Sequence, residues 1–440
     1  MPMTNLGKRM ALTAAALLVS TSFASATDIK FVRFFGDCQA EFGDVTDPAD
    51  AYGECGIITA LTNQFNAENT IGAHVNTQTV DWGAYYTQLT SSYSTGDIPD
   101  VAVMHASDLI NYTDRDLVTP IGEELVAAGV DPDDWVEQAR KNVTSDGEIY
   151  ALPFDIHAVL MHVNLGLMEE AGLVNEDGTA KLPTSLDELI SMGKTFKEKT
   201  GKYYLAMESQ STDVSSMRLF MSLVWQQGGD LISEDGKTAT VDSPEGLKAA
   251  EFIKAMFDND LLDPGLDYNG AEQAFLNGDA GMFINGTWVV NSYATQAENG
   301  AGLTDYAVYD LPTFFDKPAV FSNSHTWIIP KDDTRTPEER EAAIAFLAFL
   351  NENDYQWART GHLPVRQSVI DSEEFQALPY RAGYAGTADA AHRLPPVKNE
   401  RGIYLDIAAE LSPMWQTDMS PEEAVSNAND TTQRILRRNR

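Results

Sequence analysis

The amino-acid sequence predicts an α/β protein with two domains. Near the start of the chain, three stretches have the composition of strands, at residues 29–34, 74–80 and 100–104, and two stretches with helical spacing separate them, at residues 57–66 and 82–93. Strands that alternate with helices at this spacing form a parallel sheet through right-handed crossovers. The chain has 440 residues, which is enough for two domains with a hydrophobic core each.

Each early element has its own pattern. Apolar and polar side chains alternate in residues 29–34 (IKFVRF), as in a strand with one buried face, and residues 74–80 form the second strand. Residues 57–66 (IITALTNQFN) place apolar side chains at helical spacing, and residues 82–93 also favour a helix. The apolar run in residues 100–104 (DVAVM) predicts a strand buried on both faces.

Two later helices have clear start signals. Thr336 and Ser420 each precede a proline and two glutamates. Each site therefore offers a side-chain cap, a proline in the first turn and a glutamate at the third helical position. We expect a helix to begin after each of them.

The first 26 residues have the pattern of a signal peptide. Lys8 and Arg9 precede an apolar run at residues 10–19, and the small residues Ala-Ser-Ala follow at positions 24–26. We expect cleavage after Ala26 and export of a soluble chain to the periplasm. No later stretch approaches the ~18 uninterrupted apolar residues of a membrane-spanning helix.

The composition excludes a nucleic-acid partner. The chain has 66 Asp and Glu residues against 30 Lys and Arg residues, for a net charge of −36, whereas phosphate binding needs clustered cations. The carboxylates are spread along the chain, which indicates a solvated acidic surface. The seven histidines have no ligand-like spacing, so neither a metal site nor a cofactor is expected.

Cys38 and Cys55 are the only cysteines in the chain. An exported protein can oxidise them, so we predict one disulfide that closes the loop-like segment between residues 37 and 56. Chain-entropy arguments give such a bond about 3 kcal/mol of stabilisation. Two free buried thiols are the alternative, and zinc binding is disfavoured because no histidines lie nearby in the sequence.

An ordered set of motifs extends over much of the chain. Its members are IYALP (149–153), HVNL (162–165), EAG (170–172), PTSLDEL (183–189), FLNGDAGM (275–282), NGTW (285–288) and GHLPVR (361–366). In this order they resemble extracellular solute-binding protein family 1, which includes the maltose-type and glycerol-phosphate-type binding proteins of ABC importers. Each motif alone is weak, but the ordered set is specific.

The resemblance implies a two-lobed periplasmic-binding-protein fold of the class II type, whose interleaved lobes close over a ligand like a hinge. By analogy, the chain crosses between the lobes near residues 152–155, 321–324 and 361–365. The expected N-terminal lobe comprises residues 27–153 and 324–363, and the expected C-terminal lobe comprises residues 154–323 and 364–440.

The resemblance also implies a function. It predicts a monomeric protein that captures a small carbohydrate, from a monosaccharide to a trisaccharide or a glycoside such as an α-glucoside, for the permease subunits of an ABC importer, without catalysis. Two alternatives remain open. The same fold could bind a polyol phosphate, an amino acid or a polyamine, or the chain could be a secreted carbohydrate hydrolase or lyase, which needs two carboxylates about 5 to 10 Å apart.

A sugar site needs aromatic platforms for the ring faces and polar groups that bind hydroxyls in pairs. We expect an interlobe cleft in which Trp288 stacks on the sugar, Gly286 allows a close backbone approach and Arg366 binds hydroxyls. A core position for Trp288 and a structural ion pair for Arg366 are the alternatives. Asp81 is the best carboxylate candidate, and a helix N-cap is its alternative role.

The other candidates come from positions that follow strands or crossings, where ligands of open α/β sheets bind. One member of the pair Asp155 and His157, and one of His325 and Trp327, should face the cleft if these segments are strands. The expected ligand-binding residues are Phe35, Asp81, Trp82, His105, Asp155, His157, Trp225, Gly286, Thr287, Trp288, Asn323, His325 and Arg366.

Overall fold

A computed structural model of the chain describes residues 27–210, 215–300, 303 and 305–439. The expected signal peptide at residues 1–26 lies outside the described residues. The strands, numbered in chain order, are β1 (Thr27–Arg33), β2 (Ala73–Thr79), β3 (Val101–His105), β4 (Thr144–Ser145), β5 (Glu148–Ile149), β6 (Ala151–Pro153), β7 (His157–Asn164), β8 (Tyr203–Ala206), β9 (Ala280–Gly286), β10 (Tyr306–Asp310), β11 (Val320–Asn323), β12 (His325–Ile328) and β13 (Ala391–His392).

Helices lie between these strands along the chain. They are α1 (Gln39–Phe42), α2 (Gly53–Glu68), α3 (Trp82–Thr95), α4 (Ala106–Thr113), α5 (Gly122–Ala127), α6 (Glu137–Val143), α7 (Leu165–Glu170), α8 (Leu186–Thr200), α9 (Ser215–Gln226), α10 (Pro244–Asp258), α11 (Tyr268–Leu276), α12 (Val290–Glu298), α13 (Pro337–Glu352), α14 (Asp354–Ala358), α15 (Gln367–Ile370), α16 (Glu373–Gln376), α17 (Thr387–Ala390), α18 (Glu400–Leu411), α19 (Pro413–Gln416) and α20 (Pro421–Arg438).

The first sheet has the strand order β2-β1-β3-β12-β6. Strand β1 pairs in parallel with β2 and β3, and α2 and α3 connect these strands, as the alternating pattern predicted. All five residues of β3 are buried, which agrees with its unbroken apolar run. Strand β12 comes from much later in the chain and pairs antiparallel with both β3 and β6. The parallel sheet is therefore completed by a distant segment.

The second sheet has the order β13-β11-β7-β9-β8, with β10 also paired to β7. All eight residues of the central strand β7 are buried. The helices α9, α10, α18 and α20 pack together next to this sheet, with α9 against β11. We call the half of the molecule built on the first sheet the first lobe, and the half built on the second sheet the second lobe.

Both expected helix starts are confirmed. The side chain of Thr336 accepts a hydrogen bond from the backbone N–H of Glu339, and the Glu339 carboxylate binds the backbone N–H of Thr336, which forms a capping box at the start of α13. The side chain of Ser420 accepts a hydrogen bond from the backbone N–H of Glu423 at the start of α20. Such caps satisfy donors that have no partner within the helix.

The chain crosses between the lobes three times. The first crossing lies between β6 and β7 and the second lies between β11 and β12. In the third, Leu363 pairs with Ile156 of the first crossing. Gly361 precedes this pair with φ +122°, and a Cβ atom there would lie 2.2 Å from the carbonyl oxygen of Thr287. Only glycine fits this close approach between the third crossing and the second lobe.

The predicted two-lobed α/β fold is therefore confirmed. One hydrophobic cluster gathers side chains of residues 29–154 and 327–365, and two others gather side chains around the second sheet. The residue numbers given above for the lobe borders stay a prediction.

The predicted disulfide between Cys38 and Cys55 is present, with the two Cα atoms 5.9 Å apart. It links the segment before α1 to the first turn of α2 and closes the loop-like insertion. Within the part of the chain that the structure describes, no helix combines the length and the apolar character needed to cross a membrane.

Candidate functional site

A small cavity lies between the two lobes. Its volume is about 30 Å³, whereas pockets that hold a small-molecule ligand are typically about 300–1,000 Å³. A sugar ring can therefore enter only when the side chains around the cavity move apart. The walls are formed by Trp82, His105, Ser107 and Asp108 of the first lobe and by His157, Met217, Arg218, Phe321, Asn323, Arg401 and Tyr404 of the second lobe.

A larger concavity, of about 650 Å³, lies on the first lobe between α5 and α13. Both of its walls belong to the same lobe, and the ion pair between Arg340 and Glu124 lies within it. A movement of one lobe against the other cannot close this concavity over a ligand. The interlobe cavity is therefore the better candidate site.

An aromatic ring and a guanidinium group from different lobes meet at the cavity. The Cζ atom of Arg401 lies 4.2 Å from the ring centroid of Trp82 and 5.1 Å from that of Tyr86. Such contacts are cation–π interactions. Trp82 is held at the start of α3, where Asp81 caps the helix by accepting a hydrogen bond from the backbone N–H of Gly83 at 2.9 Å.

A second guanidinium group lies on the second lobe. The Cζ atom of Arg218 is 5.1 Å from the ring centroid of Trp288 and 5.6 Å from that of Phe321. Its Nε atom is buried and has no hydrogen-bond partner among the described residues. Burial lowers the pKa of Arg218, while the charge of Glu208 acts in the opposite direction. Because a buried donor without a partner is costly, Arg218 is well suited to bind a ligand oxygen.

Polar contacts join the lobes beside the cavity. The Nδ2 atom of Asn323 donates to the Oγ atom of Ser107 at 2.9 Å. The backbone N–H of Asn399 in the second lobe donates to the Oδ1 atom of Asn111 in the first lobe at 2.8 Å. These contacts hold the two lobes together, so the structure represents a closed arrangement of the lobes.

Asp155, at the first crossing, is the centre of a buried hydrogen-bond network. Its carboxylate accepts from Nδ1 of His325 at 2.7 Å, from Nδ1 of His157 at 3.2 Å and from Nε1 of Trp357 at 2.8 Å. Burial by itself would raise the pKa of Asp155, but His325, His362 and these hydrogen bonds hold that pKa well below its usual range. The carboxylate is therefore ionised and fixes the rings around it.

His362 brings the third crossing into the same network. Its Nε2 atom lies 2.8 Å from a carboxylate oxygen of Glu54, and its Nδ1 atom lies 3.1 Å from Oγ1 of Thr287. Burial lowers the pKa of His362, but Asp155 and Glu54 outweigh that effect and raise it. Each of the three crossings thus contributes a histidine to the surroundings of one buried carboxylate.

Residues 56–357 match the family described as bacterial extracellular solute-binding protein. The chain belongs to this family.

Known proteins and solved structures resemble most of this solute-binding protein. An arabinooligosaccharide-binding protein of Bacillus subtilis (strain 168) is 24% identical over 361 residues, which are 78% of this chain and 75% of that protein. A protein of Brucella abortus (strain 2308) named as a binding protein is 25% identical over 323 residues, or 69% of this chain and 71% of that protein.

A solved structure of the GacH receptor of Streptomyces glaucescens GLA.O, which was obtained unliganded and in complex with acarbose, superposes with a TM-score of 0.79. It is 20% identical in sequence and covers 95% of this chain and 100% of the receptor chain. At this level of identity the likeness shows the fold.

The cavity of this solute-binding protein contains four of the residues expected from the sequence: Trp82, His105, His157 and Asn323. Trp288 lies next to them, because its ring contacts both Arg218 and His157. The indole Nε1 of Trp288 donates to the hydroxyl of Tyr268 at 2.9 Å, and the ring is half-buried. Trp288 is thus positioned beside the cavity rather than within the core.

Arg366 was expected to line the cleft together with Trp288, but it is not among the residues that line the interlobe cavity. Its Nε atom donates to a carboxylate oxygen of Asp134 at 2.8 Å, and its backbone pairs with Trp135. The third crossing therefore directs Arg366 into an ion pair with the loop before α6. This is the alternative role considered for Arg366 above.

Asp81 also has its alternative role. It is an exposed N-cap of α3 and is absent from the cavity wall, because its carboxylate is used by the helix terminus. Gly286 lies directly against a neighbouring side chain, since a Cβ atom at this position would lie 2.0 Å from the ring of Trp288. The position of the indole ring therefore requires a glycine at residue 286.

Five further expected residues are buried in other contacts. Phe35 packs against the rings of His325 and Trp357. Trp225 lies in the core of the second lobe at the end of α9. Thr287 is fully buried beside His362. Asp155 and His325 bond to each other behind the cavity, so in these two pairs His157 alone reaches its wall.

The sequence reasoning missed the two arginines and Asp108. Burial raises the pKa of Asp108 to about 6, although Arg401 and Tyr86 lower it. Arg218 had a usable signal, because it is the only charged residue in α9, whose other residues are buried. A lone charge in an apolar helix indicates a functional or paired group. Arg401 had no such signal, since it lies in a polar stretch.

Proposed function

We propose that this protein is the periplasmic ligand-capturing component of an ABC importer and that it binds a small carbohydrate between its lobes. The observation that carries the proposal is the set of groups at the interlobe cavity. Trp82 and Trp288 provide ring faces, and Arg218 and Arg401 provide guanidinium groups. Aromatic faces and paired hydrogen-bond donors are what a sugar ring and its hydroxyls require.

Relatives support a carbohydrate over other solutes. The proteins that resemble this chain include an arabinooligosaccharide-binding protein and a maltotriose-binding protein of Pyrococcus abyssi. These names describe oligosaccharide ligands, and this chain shares their family and fold. A mono- to trisaccharide or a glycoside is accordingly the ligand we propose, with an α-glucoside as one example.

The two guanidinium groups favour a second candidate within the same class, a sugar that bears a carboxylate. Arginine binds a carboxylate through two parallel hydrogen bonds as readily as it binds two neighbouring hydroxyls. Arg218 has a buried Nε–H without a partner among the described residues. A uronic acid or an oligosaccharide that contains one would use this donor in full.

Binding is proposed to work by a change in lobe arrangement. The closed cavity is too small for a sugar, so the ligand enters an open form and the lobes then close around it. A ligand that contacts both lobes favours the closed form, and the permease recognises that form through surfaces of both lobes. The protein acts as a monomer, and no covalent bond is made or broken.

Thermal-shift screening of purified protein against neutral sugars, uronates, amino acids and polyamines tests the proposal. We expect one group of related sugars to raise the melting temperature, with binding then measured by calorimetry. Stabilisation by an amine or amino acid alone would overturn the carbohydrate assignment. Conversion of the bound sugar, checked by mass spectrometry after long incubation, would overturn the proposal that the protein is not an enzyme.

Arginine variants test which cavity groups hold the ligand. Arg218→Gln and Arg401→Gln should each weaken sugar binding by about 10-fold or more, because a hydrogen bond to a charged group contributes about 1.5–3 kcal/mol. Arg366→Gln is the matched control, since that arginine is held by Asp134 outside the cavity. Equal affinities for all three variants and the unmodified protein would contradict the proposed site.

A further inference from the structure

Three histidines from three different strands meet beside the interlobe cavity. His105 ends β3, His157 begins β7 and His325 begins β12. One ring nitrogen of each lies within 4.8 Å of one ring nitrogen of each of the others. All three side chains are buried, with exposed fractions of 8%, 3% and 5%. Two of the strands belong to the first lobe, and β7 belongs to the second.

The spacing of the rings suits a shared metal ion. The ring centroids are 4.9 Å apart for His105 and His325, 4.4 Å for His157 and His325, and 5.6 Å for His105 and His157. With Zn–N bonds of about 2.0–2.1 Å and near-tetrahedral angles, the centroids of two bound imidazole rings lie roughly 5 Å apart. The observed separations scatter around that value.

The outward nitrogen of each ring is already held by an oxygen. Nδ1 of His157 and Nδ1 of His325 lie 3.2 and 2.7 Å from the two carboxylate oxygens of Asp155. Nδ1 of His105 lies 2.6 Å from the hydroxyl of Tyr86. None of the hydrogen bonds found among the described residues involves the Nε2 atom of any of these three histidines.

This pattern of bonds is the one that metal-binding histidines use. A ligating histidine commonly donates its other N–H to a carboxylate, which fixes the tautomer and the ring orientation. Asp155 can serve two of the rings in this way, because each of its two carboxylate oxygens lies next to one Nδ1 atom. Tyr86 can serve the third, because its hydroxyl can donate to Asp108 while it accepts from His105.

We propose that the Nε2 atoms of His105, His157 and His325 form a binding site for a divalent transition-metal ion of the kind that prefers imidazole, such as Zn²⁺. Three protein ligands leave a fourth position, which water or a ligand oxygen from the cavity can fill. His105 and His157 line that cavity, so the open form provides an entry path. The ion would join the two lobes next to the hinge.

Spacing along the chain does not indicate this site, because its three histidines are separated by 52 and 168 positions and meet only in the folded protein. Metal binding by these three histidines does not depend on which sugar the protein binds. The ligand is a metal ion, and its binding is measured separately from sugar binding.

Calorimetric titration of chelator-treated protein with ZnCl₂ tests the site directly. We expect one tight site per chain. Loss of an orienting partner alone costs about 10–100-fold in metal affinity, so loss of a ligand in His105→Gln or His157→Gln should cost at least about 10-fold. His74→Gln is the matched control, because His74 is exposed on β2 and outside the cluster.

Two outcomes would overturn the proposal. The first is zinc binding that is equally weak in the unmodified protein and in all three variants, as binding to surface carboxylates would give. The second is a Co²⁺ complex whose absorption spectrum lacks the intense visible bands of a tetrahedral site. The cobalt spectrum is recorded on the unmodified protein, so it remains decisive if a histidine variant fails to fold.

Discussion

Asn323 of the second lobe donates a hydrogen bond to Ser107 of the first lobe, with 2.9 Å between Nδ2 and Oγ. Both side chains line the interlobe cavity. A net contribution of about 0.5–1.5 kcal/mol for one hydrogen bond changes the ratio of closed to open molecules by roughly 2- to 10-fold. The variant Asn323→Ala should therefore open the ligand-free protein.

Small-angle X-ray scattering of ligand-free Asn323→Ala should give a larger radius of gyration than the unmodified protein. Ser368→Ala is a suitable control, because Ser368 donates to Asp134 away from the cavity. Identical scattering from Asn323→Ala and the unmodified protein would show that this hydrogen bond does not hold the lobes together.

The raised pKa of Glu400 predicts that the stability of the protein depends on pH. Burial raises the pKa of Glu400 to about 7, even though Arg393 lowers it. Between the ordinary pKa of glutamate, about 4.3, and that raised value, the folded protein binds more protons than the unfolded chain. Stability should therefore rise as the pH falls from 8 to 5.5, and this gain should be smaller in Glu400→Gln.

Chemical denaturation at several pH values measures this effect. Glu123→Gln is the control, because it removes an exposed carboxylate of the first lobe. The same pH dependence in Glu400→Gln and in Glu123→Gln would show that the gain does not come from Glu400.

The disulfide should stabilise the first lobe. A bond that closes a loop with a sequence separation of 17 residues is expected to contribute about 3 kcal/mol by restricting the unfolded chain. Cys38→Ser combined with Cys55→Ser should lower the free energy of unfolding by about that amount. A reducing agent should have the same effect on the unmodified protein and none on the double variant, and denaturation curves that do not move on reduction would contradict the prediction.

Gly286 should be intolerant of a side chain. A methyl group in Gly286→Ala would lie 2.0 Å from the ring of Trp288 and would force that ring away from its hydrogen bond to Tyr268. Overpacking of this kind costs about 1–3 kcal/mol. We expect lower stability, a shift in tryptophan fluorescence and weaker sugar binding. Gly265→Ala should change none of these three properties, because the atom nearest to the added Cβ would lie 3.4 Å away.

Local patterns predicted much of the fold. Alternation, helical spacing and caps located β1 to β3, α2, α3 and the starts of α13 and α20, because these features depend on neighbouring residues. The resemblance of the ordered motifs to a known family predicted where the chain crosses between the lobes. The disulfide was predicted because the chain was expected to be exported and has only two cysteines.

The ligand site was harder to predict, because the contacts that each of its side chains makes depend on residues far away in the sequence. Arg366 forms its ion pair with Asp134, which lies 232 positions earlier in the chain. Arg218 and Arg401 reach the cavity from helices far apart in the sequence. The histidine cluster likewise exists only in three dimensions.

The position of β12 between β3 and β6 also constrains how the molecule forms. The first sheet lacks an internal strand until residue 328 is available, and α13, which packs against β1, comes later still. The amino-terminal half of the polypeptide therefore cannot reach its final state while the chain is still emerging.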